Sequence, residues 1–128
     1  MKKTRFIIIL TSLTILLMTG CTQNSSTQPL ENYNISESGT WNDGIYTEMT
    51  TGKKGTFDVT VTIKDEKMTD IVIGNNNETP DKGGVAIEKI PVEIINTQSL
   101  DVDGISGATI TSNAIKDAIA RCLEKASS

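Results

Sequence analysis

The stretch TFDVTVTIK, Thr56 to Lys64, decides the fold. Phe57, Val59, Val61 and Ile63 alternate with Asp58, Thr60, Thr62 and Lys64. A period of two belongs to a strand with one face in a core and one in water, as in an antiparallel sheet covered on one side. Upstream, Gly52-Lys53-Lys54-Gly55 is a turn signal, preceded by a β-prone run from Gly44 to Thr50 that holds Ile45 and Tyr46. Downstream, Asp65-Glu66-Lys67 reads as the next turn and Met68 to Ile73 as a third strand. The three predict a meander with one covered face.

Helices must supply the cover. Gly74 to Pro80 is a polar, turn-rich loop. Val85 to Ile90 predicts a short helix, and Pro91 suits the first turn of another through Ile94 and Ile95. Leu100 to Asp103 reads as a short extended piece. Thr111 or Ser112 is the expected N-cap of a last helix to about Ala126. Ala114, Ile115, Ala118, Ile119, Cys122, Leu123 and Ala126 form its apolar stripe. The expected fold class is α+β: a small antiparallel sheet, a three-strand meander plus a short extra strand, covered by short helices and a C-terminal helix. No internal repeat is visible.

The N-terminus reads differently. Lys2, Lys3 and Arg5 precede Phe6 to Leu10 and Leu13 to Met18, and Thr19-Gly20-Cys21 follows. That is a charged region, an apolar region and a small-residue cleavage site, with an apolar run short of the ~20 residues of a membrane span. Residues around Cys21 resemble a bacterial lipobox, which implies a signal peptide over 1–20 and a mature chain beginning at lipidated Cys21. Two or more acyl chains give stable anchoring on the extracytoplasmic face of a cell membrane. Residues 21–40, rich in Ser, Thr, Asn and Gln, read as a disordered tether, and 41–128 as the folded domain. Lipidation of Cys21 would leave Cys122 alone, read as a small buried hydrophobe.

Removing residues 1–20 takes Lys and Arg from 12 to 9 against 16 acids, so the formal charge moves from −4 to −7. An acidic chain is poorly suited to nucleic acid or to anionic lipid. The chain has no histidine, so the commonest transition-metal ligand and general base is absent, and no metal site is expected.

The chemistry-bearing stretch is Asp103-Gly104-Ile105-Ser106-Gly107-Ala108-Thr109 with Thr111 and Ser112 behind it. Gly107 permits a tight backbone and close approach of a ligand. Four hydroxyls stand in one short loop before a helix whose N-terminus presents free N–H groups. Two readings fit: an anion site with phosphate as the usual occupant, or an ordinary capped loop. No catalytic nucleophile is expected, because a hydroxyl needs an adjacent base or metal.

The same residues resemble the D-x-x-[ST]-G-A-[ST] flavinylation motif of the FMN-binding domain family. That domain occurs in the C subunit of the sodium-translocating NADH:quinone reductase, the G subunit of the Rnf complex and small exported lipoproteins. Glu78-Thr79-Pro80, Ala86 to Glu88, Ile94-Ile95 and Gln98-Ser99 also agree, so the resemblance covers about Asp43 to Ala126. It implies FMN esterified through its phosphate to Thr109 by a separate magnesium-dependent flavin transferase that uses FAD. Asp103 matches the motif acid, Ser106 its hydroxyl and Gly107-Ala108 its close-packing pair. Backbone N–H groups from Gly107 to Ser112 would hold the phosphate, with Thr111 and Ser112 in the site. Glu78 and Thr79 match a loop beside the flavin. The chain departs from the family pattern at Met49, where glycine often follows the Tyr-Thr pair. It departs again at Asp81-Lys82, where glycine follows Glu-Thr-Pro directly.

The resemblance implies an electron carrier rather than a stand-alone enzyme, with an unidentified redox donor and acceptor. A non-covalent FMN-binding module and a flavin-free structural lipoprotein are the alternatives. Tyr33, Trp41 and Tyr46 are candidate ring contacts, or else core residues.

Overall fold

The computed structural model describes residues 40–128. The expected signal peptide, lipidated Cys21 and tether, and with them Tyr33, lie outside the described residues. Three strands form one antiparallel sheet in the order β1-β2-β3: β1 (Gly44–Gly52), β2 (Gly55–Lys64) and β3 (Lys67–Ile73). Two helices follow, α1 (Gly83–Thr97) and α2 (Thr109–Ala126).

The meander is as its alternation predicts. Gly52 pairs with Gly55 across a two-residue turn at Lys53-Lys54, and Asp65-Glu66 close the second hairpin with φ of 52° and 60°. Positive φ at both central residues matches the right-handed twist of the flanking strands. Phe57, Val59, Val61 and Ile63 are 0–2% exposed, and a register irregularity at Thr62/Ile63 carries β2 to its end.

α2 lies against β1 and β2 and packs on α1, which in turn touches β3. The expected stripe of α2 is buried throughout. Cys122 is 0% exposed, its thiol aimed at the Tyr46 and Val59 carbonyl oxygens. Burial pushes that thiol up to about 11. On the outer flank of α2, Arg121 and Lys125 hold Glu48 of β1, and Arg121 also pairs with Asp117 and donates to the Met49 carbonyl.

Three details differ from the sequence expectation. Pro91 does not start a second helix: it lies inside one continuous α1. A proline there forfeits only its own N–H bond and crowds the preceding turn. Ile90, Pro91 and Ile94 are all buried, so tertiary packing outweighs that defect. Leu100 to Asp103 joins no sheet, so the short extra strand is not formed. Instead Gln98, left-handed at the end of α1, lays its amide along β3. It accepts from Met68 N–H at 2.9 Å and donates to the Met68 carbonyl at 2.8 Å. A side-chain amide thus stands in for the missing neighbour strand and blunts that edge. The third difference is the cap of α2. Ala108 occupies the N-cap without a side-chain hydrogen bond, and Thr111 and Ser112 lie within the first turn.

The two ends of the domain meet. Asn42 N–H donates to the Ala126 carbonyl at 2.8 Å, and its side-chain amide donates to the Ser128 carbonyl at 3.0 Å. Trp41 and Tyr46 pack against the core, with the Tyr46 hydroxyl donating to the Asn42 carbonyl.

Candidate functional site

One cleft of about 190 Å³ opens where three connections meet. The β1–β2 turn contributes Lys53 and Lys54, the loop into α1 contributes Glu78, Thr79, Asp81, Lys82 and Gly83, and the entry to α2 contributes Gly107, Ala108 and Thr111. Both helices therefore begin at its wall.

Neither helix start is capped by a side chain, and neither has an acid in its first turn. In α2 the first intrahelical bond runs from Ser112 N–H to the Ala108 carbonyl, leaving the N–H groups of Thr109, Ile110 and Thr111 open. In α1 Gly84 N–H bonds the Thr79 carbonyl and Ala86 N–H the Lys82 carbonyl, leaving those of Gly83 and Val85. Open N–H groups and two dipole ends give the cleft a positive potential.

Glu78 lines the cleft with both carboxylate oxygens engaged. Its Oε1 accepts Lys54 N–H and its Oε2 accepts the Thr111 hydroxyl, both at 2.9 Å. A Cβ on Gly52 would stand 2.5 Å from Oε1, and one on Gly83 would collide with Oε2. One carboxylate thus joins the hairpin turn, the loop and both helices, and the two glycines leave it room. It also offsets part of the positive potential. Lys53, Lys54 and Lys82 line the cleft as well, with Asp81 beside them.

The motif divides by exposure. Thr111 and Ser112 are 1% and 0% exposed. Thr111 serves Glu78, and the Ser112 oxygen accepts Ile105 N–H at 3.0 Å, bracing the turn that carries the motif. Ser106 and Thr109 are exposed, and neither hydroxyl has a hydrogen-bond partner among the described residues. Gly107 sits between them with φ of +79°, a conformation that disfavours other residues. Thr109 is the first residue of α2; it does not itself line the cleft, but follows the lining residue Ala108 and stands two before Thr111. Asp103 is exposed, outside the cleft and without a hydrogen bond among the described residues.

Of the residues expected from sequence, Glu78, Thr79, Gly107, Ala108 and Thr111 line the cleft. Ser106, Thr109 and Ser112 do not line it but each adjoins in sequence a residue that does, and Trp41 and Tyr46 are elsewhere. Lys53, Lys54, Asp81, Lys82 and Gly83 were not expected there. The only sequence signal for them was the Asp81-Lys82 departure in the Glu78 loop. Among the described residues no group of acids and thiols is placed to hold a metal ion, and no helix is long and apolar enough to cross a membrane.

The arrangement suits the phosphate end of a flavin. Open N–H groups, lysines, a glycine turn and an unengaged hydroxyl are the groups such an end requires. The volume falls below the roughly 300–1,000 Å³ that encloses a whole drug-sized ligand, so a flavin ring would lie outside the cleft.

The family model described as FMN-binding domain matches residues 52–124. A NADH:acrylate oxidoreductase of Vibrio harveyi is 37% identical over 86 residues, which cover 67% of this chain and 9% of that protein. An uncharacterized protein of Treponema pallidum is 33% identical over 84 residues, covering 65% of this chain and 23% of that protein. The chain therefore spans under a quarter of either curated relative. A solved crystal structure of a Clostridium perfringens protein is similar with a TM-score of 0.52 and 25% identity, covering 67% of this chain and 88% of that one.

Proposed function

This chain belongs to the FMN-binding domain family, and from that premise we propose that it is an electron carrier with FMN esterified to Thr109. One observation carries the reading: two uncapped helix N-termini and three lysines converge on a cleft whose wall includes Ala108, just before Thr109, and Thr111, two residues after it. The hydroxyl inventory supports it too. Thr111 and Ser112 are buried and engaged, whereas Thr109 and Ser106 are exposed and unengaged.

Attachment requires the Thr109 Oγ to lose its proton and take up the FMN phosphorus as the pyrophosphate bond of FAD breaks and AMP leaves. The chain holds no histidine to take that proton, in keeping with a separate flavin transferase as catalyst. The N–H groups of Thr109 to Thr111, Gly83 and Val85 would hold the phosphate oxygens, and Lys53, Lys54 and Lys82 would balance their charge. Bound FMN supplies the redox chemistry, and the protein supplies attachment, orientation and electrostatics. The similarity to a NADH:acrylate oxidoreductase supports a role in electron transfer.

Placement outside the cytoplasm, anchored by lipidated Cys21, rests on the N-terminal pattern alone. A tether of roughly 20 residues reaching about 25 Å would let one domain visit a membrane donor and an external acceptor.

The test is the intact mass of the full chain co-expressed with a flavin transferase. FMN minus water is the expected addition, abolished in Thr109→Val. Flavin fluorescence that stays with the denatured Thr109→Val chain moves the attachment elsewhere, and an unmodified parent chain leaves a non-covalent module.

A further inference from the structure

Lys82 is the N-cap residue of α1, yet its side chain reaches the mouth of α2. A Cβ built on Gly107 would stand 3.5 Å from Lys82 Cδ and 3.7 Å from Cε, so the lysine stem lies along the glycine turn that opens α2. Lys53 and Lys54 approach the same cleft from the hairpin. None of the three ammonium groups has an acid partner among the described residues, whereas Arg121 and Lys125 are paired with Glu48. Of the two acids lining the cleft, Glu78 has both oxygens engaged, and Asp81 is the exposed neighbour of Lys82. In a chain of formal charge −4, the cleft therefore gathers three cations without ion-pair partners around two helix starts.

We propose that Lys82 is the specificity-determining residue of this cleft, the group by which it takes a phosphorylated flavin over the unphosphorylated one. A lysine serves phosphate as a compact charge with three donors. The stem resting on Gly107 limits where that charge can go. Lys53 and Lys54 face it and add to the field. The ring and ribityl chain are common to both flavins, so the preference between them isolates the phosphate contribution. This inference rests on the FMN reading above.

The experiment uses the full chain made without a flavin transferase, titrated with FMN and with riboflavin at low salt and followed by flavin fluorescence. The parent chain prefers FMN. Lys82→Met weakens FMN binding about five- to tenfold, scaled down from a buried charge-assisted bond because Lys82 is exposed, and leaves riboflavin within about twofold. Lys82→Arg keeps the preference, Lys89→Met on the exposed flank of α1 keeps it as well, and added salt narrows it. Equal weakening of both flavins, or of neither, overturns the proposal. A parent chain that binds neither flavin excludes a non-covalent FMN module and leaves the covalent reading to the intact-mass test. Inorganic phosphate then decides Lys82: amide shifts at Gly107 and Thr111 that vanish in Lys82→Met uphold it, and their absence in the parent overturns it.

Discussion

Replacing Thr111 with valine removes one oxygen from the cleft wall and changes almost no volume. Thr111 is 1% exposed, and its hydroxyl donates to Glu78 Oε2 at 2.9 Å. A hydrogen bond to a charged group contributes about 1.5–3 kcal/mol. Two features of the site reduce that figure: Glu78 is half-buried, so water replaces the lost donor, and valine buries an additional methyl. A loss of about 1 kcal/mol is the result, with a Tm lower by about 4–8 °C for a domain of this size. Urea unfolding should show a lower midpoint at unchanged slope. The reasoning is refuted if Thr111→Val costs under about 0.3 kcal/mol, or if it costs as much in a Glu78→Ala background as in the parent.

Three more predictions test other parts of the molecule. Gly107→Ala imposes φ of +79° on a residue with a Cβ, costing about 1–2 kcal/mol in thermal unfolding; the Lys82 stem at 3.5 Å is in ordinary contact and adds little. Cys122 should resist alkylation at pH 8 until the chain unfolds, as read by mapping the modified peptide. Because its folded pKa is raised to about 11, its contribution to stability is full below the ordinary value of 9.0 and falls as pH climbs beyond that. Glu48 is held below the usual carboxylate range, first by its hydrogen bond to Lys125 and also by Arg121. Its contribution is present above the ordinary value of 4.5 and lost as pH falls through the lowered one, so acid unfolding curves of Glu48→Gln should be flatter than the parent's in that window.

The sheet was legible in the sequence because a period of two survives folding unchanged: Phe57 to Ile63 are buried where alternation puts them. The stripe of α2 was legible for the corresponding reason at a period of 3.6. Pro91 misled because local rules treat proline as a boundary, while the burial of Ile90 and Ile94 holds the helix together across it. The cap of α2 misled because Thr111 and Ser112 have suitable side chains but are used at longer range, by Glu78 and Ile105. The phosphate site proposed at Gly107 to Thr109 could be suggested by small residues before a helix. The lysines could not. In isolation Lys53 and Lys54 are polar turn residues and Lys82 a loop cation, and only the fold brings residues 53, 82 and 107 to one cleft.

The clasp of Asn42 on Ala126 and Ser128 has a consequence for how such a domain is reused. Entry and exit lie side by side, so the unit can be spliced into a surface loop of another protein without prying that loop apart. Sequences similar to it make up 9% and 23% of two much longer proteins, in keeping with a portable cassette. The same adjacency governs mechanical load. Tension drawn through Asn42 bears directly on the last turn of α2, at the opposite end of that helix from Thr109, so a pull on the leading segment would unfasten the clasp before it disturbed the cleft.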